Sequence, residues 1–130
     1  MIKLNVTDET SRLRAVILGT ALSNGGVPKL EDAYDPKSLL HIKENTYPKE
    51  EDMVEEMNAL EEVFNKYGIQ VFRPKLINDY NQIFARDIGF VIEDTFIKAN
   101  ILPDREQEIE AIEHVLTQID EDKIIRFPEE

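Results

Sequence analysis

The sequence contains no cysteine among its 130 residues. Disulfides, thiolate metal sites and a cysteine nucleophile are therefore excluded within this chain. Long apolar runs are also lacking, because no stretch approaches the ~20 residues that a membrane-spanning helix needs. We therefore expect a soluble protein that does not cross a membrane and that has no thiol chemistry of its own.

Positive charge is scarce, with 15 Lys and Arg against 27 Asp and Glu and a formal net charge of −12. Binding to phosphates needs clustered Lys and Arg, so the composition argues against a nucleic-acid partner. The acidic excess weakly favours cationic ligands. The acids concentrate in two helix-like stretches, however, and we prefer to interpret them as solvated helix faces.

The chain has the size of one small domain, which we place over residues 1–130. Hydrophobic residues make up 42% of it and charged residues 32%, which is typical of a globular protein. Residues 1–9 become acidic before any apolar region of a secretory signal develops, so we expect a cytoplasmic address.

The first half of the chain predicts a strand, a long connection, a helix and a second strand. The first strand, 14–19, has consecutive β-branched residues and ends at a glycine. The connection, 20–45, is long for a compact domain, and such connections are often functional. The helix spans 48–67, and the strand that follows spans 69–73 and ends before a proline.

The predicted helix 48–67 has recognisable ends and one apolar stripe. Asn45 or Thr46 is a candidate N-cap, Pro48 favours the start, and Gly68 favours the end. The stripe consists of Met53, Met57, Leu60, Phe64 and Tyr67. We interpret it as a core face, with a partner-binding face as the alternative.

The second half predicts a hairpin, a helix and a closing strand. Strands 88–92 and 95–99 flank Glu93-Asp94, and the first of them reads as buried. Asp104 is a candidate cap for a helix, and 123–127 reads as the closing strand. The apolar positions of that helix are Ile109, Ile112, Val115, Leu116 and Ile119. We interpret the halves, about 12–74 and 81–128, as two copies of one ββαβ-like module, the second strand of the first copy being replaced or obscured.

A polar, charged segment, Asn81-Gln82-Ile83-Phe84-Ala85-Arg86-Asp87, precedes the hairpin directly. At such a strand end a carboxylate can point into a pocket. Asp87 is the candidate carboxylate at this position. For Arg86 we prefer a structural pair with a neighbouring acid over direct contact with a substrate.

The spacing Asn-x-x-Phe-x-Arg-Asp resembles a signature of enzymes that modify guanidino groups. These are the amidinotransferases, arginine deiminases and dimethylarginine dimethylaminohydrolases, which share a fivefold α/β propeller, the pentein fold. The resemblance covers about residues 12–118 and also touches Asn45-Thr46-Tyr47. It implies an α/β chain that forms about two modules of a partial propeller, as the N-terminal portion of such an enzyme.

The resemblance also implies roles for four residues. Asp87 would hold the substrate guanidinium, and Asn81 and Phe84 would border the same pocket. Arg105 lies about where the hydrolases of this family place an arginine that holds the substrate's α-carboxylate. An exposed arginine in the first turn of a helix is an equally open interpretation of Arg105.

The mechanism implied by the resemblance needs two groups without a candidate here. A thiolate attacks the guanidinium carbon, and a histidine acts as acid and base, to give a covalent amidino-enzyme. His114 reads as a surface residue of its helix, and His41 has no second ligand nearby, so no metal site is expected. The family has its Cys and His in later modules and implies no cofactor, so this chain alone is expected to be inactive.

Two functions remain open from the sequence. The first is the N-terminal part of an amidinotransferase-like enzyme that acts on arginine or a related guanidino compound. Such a part would need its missing C-terminal modules or would self-associate, because it would expose apolar surface and strand edges. The second is a non-catalytic binding or interaction protein that retains half of the scaffold.

Overall fold

The structure is a computed structural model that describes residues 1–26, 31 and 36–128. It confirms the predicted α/β class, with two small sheets and several helices. The strands are β1 Ala15–Ile17, β2 Gln70–Phe72, β3 Gly89–Ile92, β4 Thr95–Lys98 and β5 Ile124–Arg126. The α-helices are α1 Pro36–Lys43, α2 Glu50–Lys66, α3 Gln107–Glu110 and α4 Glu113–Leu116. Short 3-10 helices span Ala85–Asp87, Pro103–Arg105 and Glu121–Lys123.

The first sheet is a parallel pair in which Ala15 faces Gln70 and Ile17 faces Phe72. Parallel strands need a crossover connection, which contains α1 and α2 here. Helix α1 lies inside the predicted connection 20–45, where the sequence suggested no helix. Residues 27–30 and 32–35 of that connection lie outside the described part of the chain.

The second sheet has the order β3-β4-β5. Strands β3 and β4 form an antiparallel hairpin, and β5 runs parallel to β4. The hairpin turns at Glu93-Asp94 as predicted, although it has no glycine, because Glu93 takes the left-handed conformation with φ 54°. The sequence interpretation of two modules stays a prediction.

The core lies between one face of the second sheet and helices α3 and α4. Side chains of the N-terminal segment also pack on it, and the backbone N–H of Ile2 donates to the carbonyl of Gln118 at 2.6 Å. The buried cluster consists of Ile88, Phe96, Ile112, Leu116 and Ile119. Burying each of these side chains contributes about 1.5–3 kcal/mol, so this cluster is the main stabilising element.

The opposite face of the second sheet is apolar and partly exposed. Phe90, Ile97 and Ile125 are cross-strand neighbours on it, since their positions are paired in register. Ile97, on the middle strand, is buried, whereas Phe90 and Ile125 on the flanking strands are exposed. We define the outer sheet face by its exposed large side chains, which are Phe90, Ile92, Ile125 and Phe127. The prediction of a buried strand at 88–92 is therefore wrong for Phe90 and Ile92, which are exposed because β3 is an edge strand with only one covered face.

The predicted helix from Asp104 is broken into separate pieces. Its first turn begins at Pro103 with Leu102 at the N-cap position, so Asp104 lies inside the turn and is not the cap. A second break separates α3 from α4 at Ala111-Ile112. The carbonyl of Ala111 accepts a hydrogen bond from the backbone N–H of Lys75 at 2.8 Å, a tertiary contact made at the break.

Helix α2 begins later than predicted and has no side-chain cap. Lys49 occupies the N-cap position, so the assignment of Asn45 or Thr46 as the cap is wrong. The Thr46 hydroxyl instead lies 2.9 Å from Nδ1 of His41. The helix ends before Gly68, whose φ of 70° confirms the predicted glycine terminus.

The apolar stripe of α2 is not a core face. No residue of this helix is buried: Met53, Met57 and Phe64 are half-buried, whereas Leu60 and Tyr67 are exposed. The reason is the small size of the first sheet, since two strands of three residues cannot cover a helix of 17 residues. The preferred interpretation of the stripe is therefore wrong. Across the described ranges, no helix combines the length and apolar character needed to cross a membrane.

Candidate functional site

A cavity of about 700 Å³ lies beside the segment 81–87. This volume is within the range of roughly 300–1,000 Å³ that small-molecule pockets occupy. Its lining comes from the loop after β1, from α1 and the residues that follow it, and from the segments on either side of the hairpin. All four residues predicted for a substrate pocket line it, namely Asn81, Phe84, Asp87 and Arg105.

Gln82 anchors the motif segment to the body of the protein. Its side chain is buried, accepts from the backbone N–H of Ile77 at 2.9 Å and donates to the carbonyl of Lys75 at 2.8 Å. The N–H of Thr20 donates to the Gln82 carbonyl at 3.0 Å, which ties the segment to the end of β1. Sequence reasoning missed Gln82, because it occupies a motif position for which no residue type is prescribed.

Asn81 and Phe84 stand at the rim of the cavity. The side-chain oxygen of Asn81 accepts from the backbone N–H of Ile83 at 3.2 Å, which shapes the turn that leads into the motif. The ring of Phe84 is exposed, and the guanidinium carbon of Arg86 lies 5.9 Å from its centroid. Such an exposed cation–π contact contributes about 0.5–1 kcal/mol and orients both side chains.

Asp87 ends the short helix Ala85–Asp87, directly before the buried Ile88. Its Oδ2 lies 3.1 Å from Nη1 of Arg105, and its Oδ1 lies 3.8 Å from Nε of Arg86. The side chain is 42% exposed. One carboxylate oxygen is therefore held by Arg105, the other lies near Arg86, and the half-exposed side chain lines the cavity.

Arg105 is held from behind by Glu108, whose side chain is only 3% exposed. Nε of Arg105 lies 2.6 Å from Oε2 of Glu108, and Nη2 lies 3.1 Å from Oε1, a bidentate pair. Hydrogen bonding to Glu108 is the main reason that the pKa of Arg105 is raised above its ordinary high value. Sequence reasoning missed Glu108, since it lies among other acids of a helix and only its burial distinguishes it.

Arg105 is thus neither an exposed helix residue nor a free cation. It lies in a 3-10 helix, and its side chain is only 24% exposed. Three of its N–H groups point to the two protein carboxylates of Asp87 and Glu108. Its implied role in holding a substrate carboxylate stays a prediction.

Tyr80 closes one side of the cavity. Its hydroxyl donates to the backbone carbonyl of Asp104, and its backbone N–H donates to the carbonyl of Ser23 at 2.9 Å. Burial is the main cause that raises the pKa of Tyr80 above its ordinary value. Tyr80 therefore links the loop after β1 to the segment that contains Arg105.

The two histidines differ from each other in position. His41 lines the cavity, whereas His114 lies outside it and is half-buried, so its assignment to the surface is wrong. Nε2 of His114 is 3.0 Å from the carbonyl oxygen of Arg73, which can only accept, so Nε2 carries the proton. In the ranges 1–26, 31 and 36–128, no group of three His, Asp or Glu side chains could hold a metal ion.

Two solved structures share this architecture. The inosamine-phosphate amidinotransferase StrB1 from Streptomyces griseus matches with a TM-score of 0.70 over 99% of this chain, at 19% sequence identity. The chain has an amidinotransferase-like fold. SxtG, an amidinotransferase of the saxitoxin biosynthetic pathway from Microseira wollei, matches with a TM-score of 0.66 over 97% of this chain, also at 19% identity. No family model and no curated protein sequence matches the chain.

The amidinotransferase-like fold is present only in part. The chain spans 44% of the StrB1 chain and 42% of the SxtG chain. Within the described residues the two sheets do not close into a barrel. The predicted resemblance and the predicted partial propeller are therefore confirmed at the level of the fold.

Proposed function

We propose that this chain is the N-terminal part of an amidinotransferase-like enzyme that acts on a guanidino group, that of arginine or of a related compound. The support is the fold likeness, which runs through almost the whole chain and through less than half of each amidinotransferase structure. A cytoplasmic location is part of the proposal.

The observation that carries this proposal is the carboxylate of Asp87 on the wall of the 700 Å³ cavity. A carboxylate that receives N–H groups from a guanidinium forms charge-assisted hydrogen bonds, which are among the strongest in proteins. The ring of Phe84 would shield one side of the bound group, and the side chain of Asn81 would border another. The chain would therefore contribute recognition of the substrate.

The bond-making groups would come from outside the chain, since it contains no cysteine. In the proposed reaction a thiolate adds to the guanidinium carbon, and the substrate amine leaves with a proton supplied by a histidine. The resulting S-amidino intermediate would then be resolved by an amine or by water. By itself the chain would bind a guanidino compound without converting it.

The proposed partners are suggested by the apolar surface that remains exposed on this chain. The outer sheet face consists of large apolar side chains, and an apolar groove of about 270 Å³ lies between the two sheets. Residues of both sheets line that groove, among them Val16, Phe72 and Phe90. Such surface favours association with completing modules or with a second copy of the chain.

Binding of agmatine, a guanidino compound, to the 130-residue chain tests the proposal. An NMR titration should show saturable shifts of the residues around the cavity, and Asp87→Asn should weaken binding by about tenfold, since a charged hydrogen-bond partner is lost. Glu62→Gln removes one exposed acid of α2 and serves as the control. Equal binding by the Asp87→Asn variant and the unaltered chain would contradict the proposed site.

A further inference from the structure

Glu108 is one of the two polar or charged residues that are buried among the described residues, the other being the neutral Gln82. Removing a carboxylate from water is costly unless a cation and hydrogen bonds compensate it. Both oxygens of Glu108 meet Arg105, at 2.6 and 3.1 Å. The structure therefore keeps a buried acid whose one visible function is to hold this arginine.

The pairing determines which atoms of Arg105 remain for other contacts. The guanidinium has five N–H groups. Nε and one N–H of Nη2 face Glu108, while one N–H of Nη1 faces Asp87 at 3.1 Å. Two N–H groups remain, one on Nη1 and one on Nη2. The orientation of the planar group is nevertheless set by two protein carboxylates before any ligand arrives.

The pairing also determines the charge of the cavity wall. Two carboxylates and one guanidinium leave one net negative charge on the three residues. Glu108 offsets the charge of Arg105. A further cation beside Asp87 is Arg86, whose Nε lies 3.8 Å from Oδ1, but its side chain is 84% exposed and such a pair is weak in water. Of the two carboxylates that hold Arg105, Asp87 lines the cavity and is 42% exposed, whereas Glu108 is only 3% exposed.

We propose that Glu108 is a positioning residue, which commits Arg105 to the protein and thereby presents the Asp87 carboxylate to a cationic ligand. The site then recognises a guanidinium and makes no use of a ligand carboxylate. This inference rests on the proposed function and assigns Arg105 a part different from the one that the resemblance implies. The substrate class is a guanidino compound whose other end need not be an acid.

Two probes of equal guanidinium chemistry separate the two roles of Arg105. Agmatine has no carboxylate, and L-arginine has one. If Arg105 is committed to the protein, both bind the full chain with dissociation constants within about twofold of each other. If L-arginine binds much more tightly and Arg105→Gln removes that advantage, Arg105 holds the ligand carboxylate and the proposal is wrong.

Substitution of Glu108 tests the positioning role itself. In Glu108→Gln the charge of Arg105 is no longer offset, so agmatine should bind about tenfold more weakly and L-arginine should become the preferred probe. The double variant Arg105→Gln/Glu108→Gln removes the freed charge and should recover agmatine binding, whereas a merely structural role predicts further loss. Glu110→Gln, at an exposed acid of the same helix, is the matched control.

A third readout needs no ligand. The Nε–H resonance of Arg105 in a ¹⁵N NMR spectrum should exchange slowly with solvent in the unaltered chain and in Glu110→Gln, and rapidly in Glu108→Gln. If neither probe binds, the proposed function fails, while slow exchange still supports the clamp and fast exchange in the unaltered chain overturns it. If Glu108→Gln does not fold, the comparison of agmatine with L-arginine in the unaltered chain decides.

Discussion

Gly19 and Gln82 show how single residues shape the cavity. A Cβ at Gly19 would overlap the backbone carbonyl oxygens of Gln82 and Ile83, so only glycine allows the motif segment to approach β1 this closely. The bonds of the Gln82 side chain then hold the segment in place. The close approach at Gly19 and the hydrogen bonds of Gln82 together fix the motif segment, and Asp87, five residues after Gln82, therefore reaches the cavity.

The first residue-scale prediction concerns Gly19. Gly19→Ala should destabilise the chain by about 3 kcal/mol, because the neighbouring atoms are backbone and cannot move aside cheaply. Gly68→Ala provides the comparison: its Cβ would meet no atom within 4 Å, and only its φ of 70° opposes a side chain. That variant should lose about 1 kcal/mol. Urea denaturation of both variants measures the difference, and equal losses would contradict the close-approach argument.

The substitutions Asp87→Asn and Glu108→Gln also test single residues, and each changes a different part of the site. Asp87→Asn removes the carboxylate that faces the ligand, so it should weaken agmatine and L-arginine alike. Glu108→Gln leaves that carboxylate in place and alters its neighbour, so it should change the relative affinity of the two probes. The pair of variants therefore separates contact with the ligand from positioning.

Among elements, the hairpin and β5 form the best-defined unit. Strand β4 pairs with both β3 and β5, and its Phe96 packs into the main cluster. A salt bridge between Asp94 in the hairpin turn and Lys123 before β5, at 2.6 Å, joins the two ends of the unit. The hydrogen bond to Lys123 is the main cause that lowers the pKa of Asp94 from its ordinary value of 3.8.

This lowered pKa predicts a pH dependence at the element scale. A carboxyl whose pKa is lower in the folded state stabilises the fold above its ordinary pKa, and that stabilisation is lost as the pH falls through the folded value. Asp94→Asn should therefore be less stable than the unaltered chain at about pH 6, and the gap should close by about pH 2. The effect is small because the pair is exposed to solvent.

The measurement for this pair is the urea midpoint across the acid range. Glu62→Gln, which removes an exposed acid of α2 for which the structure shows no salt bridge among the described residues, should not reproduce the same closing gap. A gap for Asp94→Asn that stays constant down to the lowest pH would show that its cause is not the charge of Asp94.

At the scale of the whole molecule, the two faces of the second sheet differ in what covers them. One face packs on α3 and α4, while Phe90, Ile92, Ile125 and Phe127 remain exposed on the outer sheet face. The rings of Phe90 and Phe127 lie 6.2 Å apart on this surface. The stripe of α2, with Leu60 and Tyr67 exposed and its other members half-buried, is a second apolar surface of the described chain.

The corresponding prediction concerns association. The isolated chain should self-associate with rising concentration in sedimentation experiments, because the outer sheet face offers contiguous apolar surface. The double variant Phe90→Ser/Phe127→Ser should shift the equilibrium to monomer. Tyr67→Ser alters the stripe of α2 instead and should have little effect. If Tyr67→Ser reduced association and the double variant did not, the interface would lie on α2. An unaltered chain that stays monomeric at every concentration would contradict the prediction.

Local pattern was sufficient for much of the fold. The hairpin around Glu93-Asp94, the end of α2 at Gly68 and the strands near 15–17 and 124–126 were predictable, because each depends on neighbouring residues. The N-cap of α2 was not predictable, since it depends on where the chain enters the helix. The break in the predicted helix from Asp104 was not predictable either, because it coincides with a tertiary hydrogen bond from the backbone N–H of Lys75. Burial of the α2 stripe failed for a related reason, because it depends on the size of the opposing sheet.

For the site, the sequence by itself determined which residue types are available, and the resemblance implied substrate contacts for Asn81, Phe84, Asp87 and Arg105. All four line one cavity, and their roles stay predictions. Only the tertiary structure decided that Glu108 is buried and that Arg105, 18 residues from Asp87, is paired with it. The physical reason is that solvation and pairing of a charge depend on what surrounds it in space. The same glutamate, read among the acids of its helix, looks like any solvated residue.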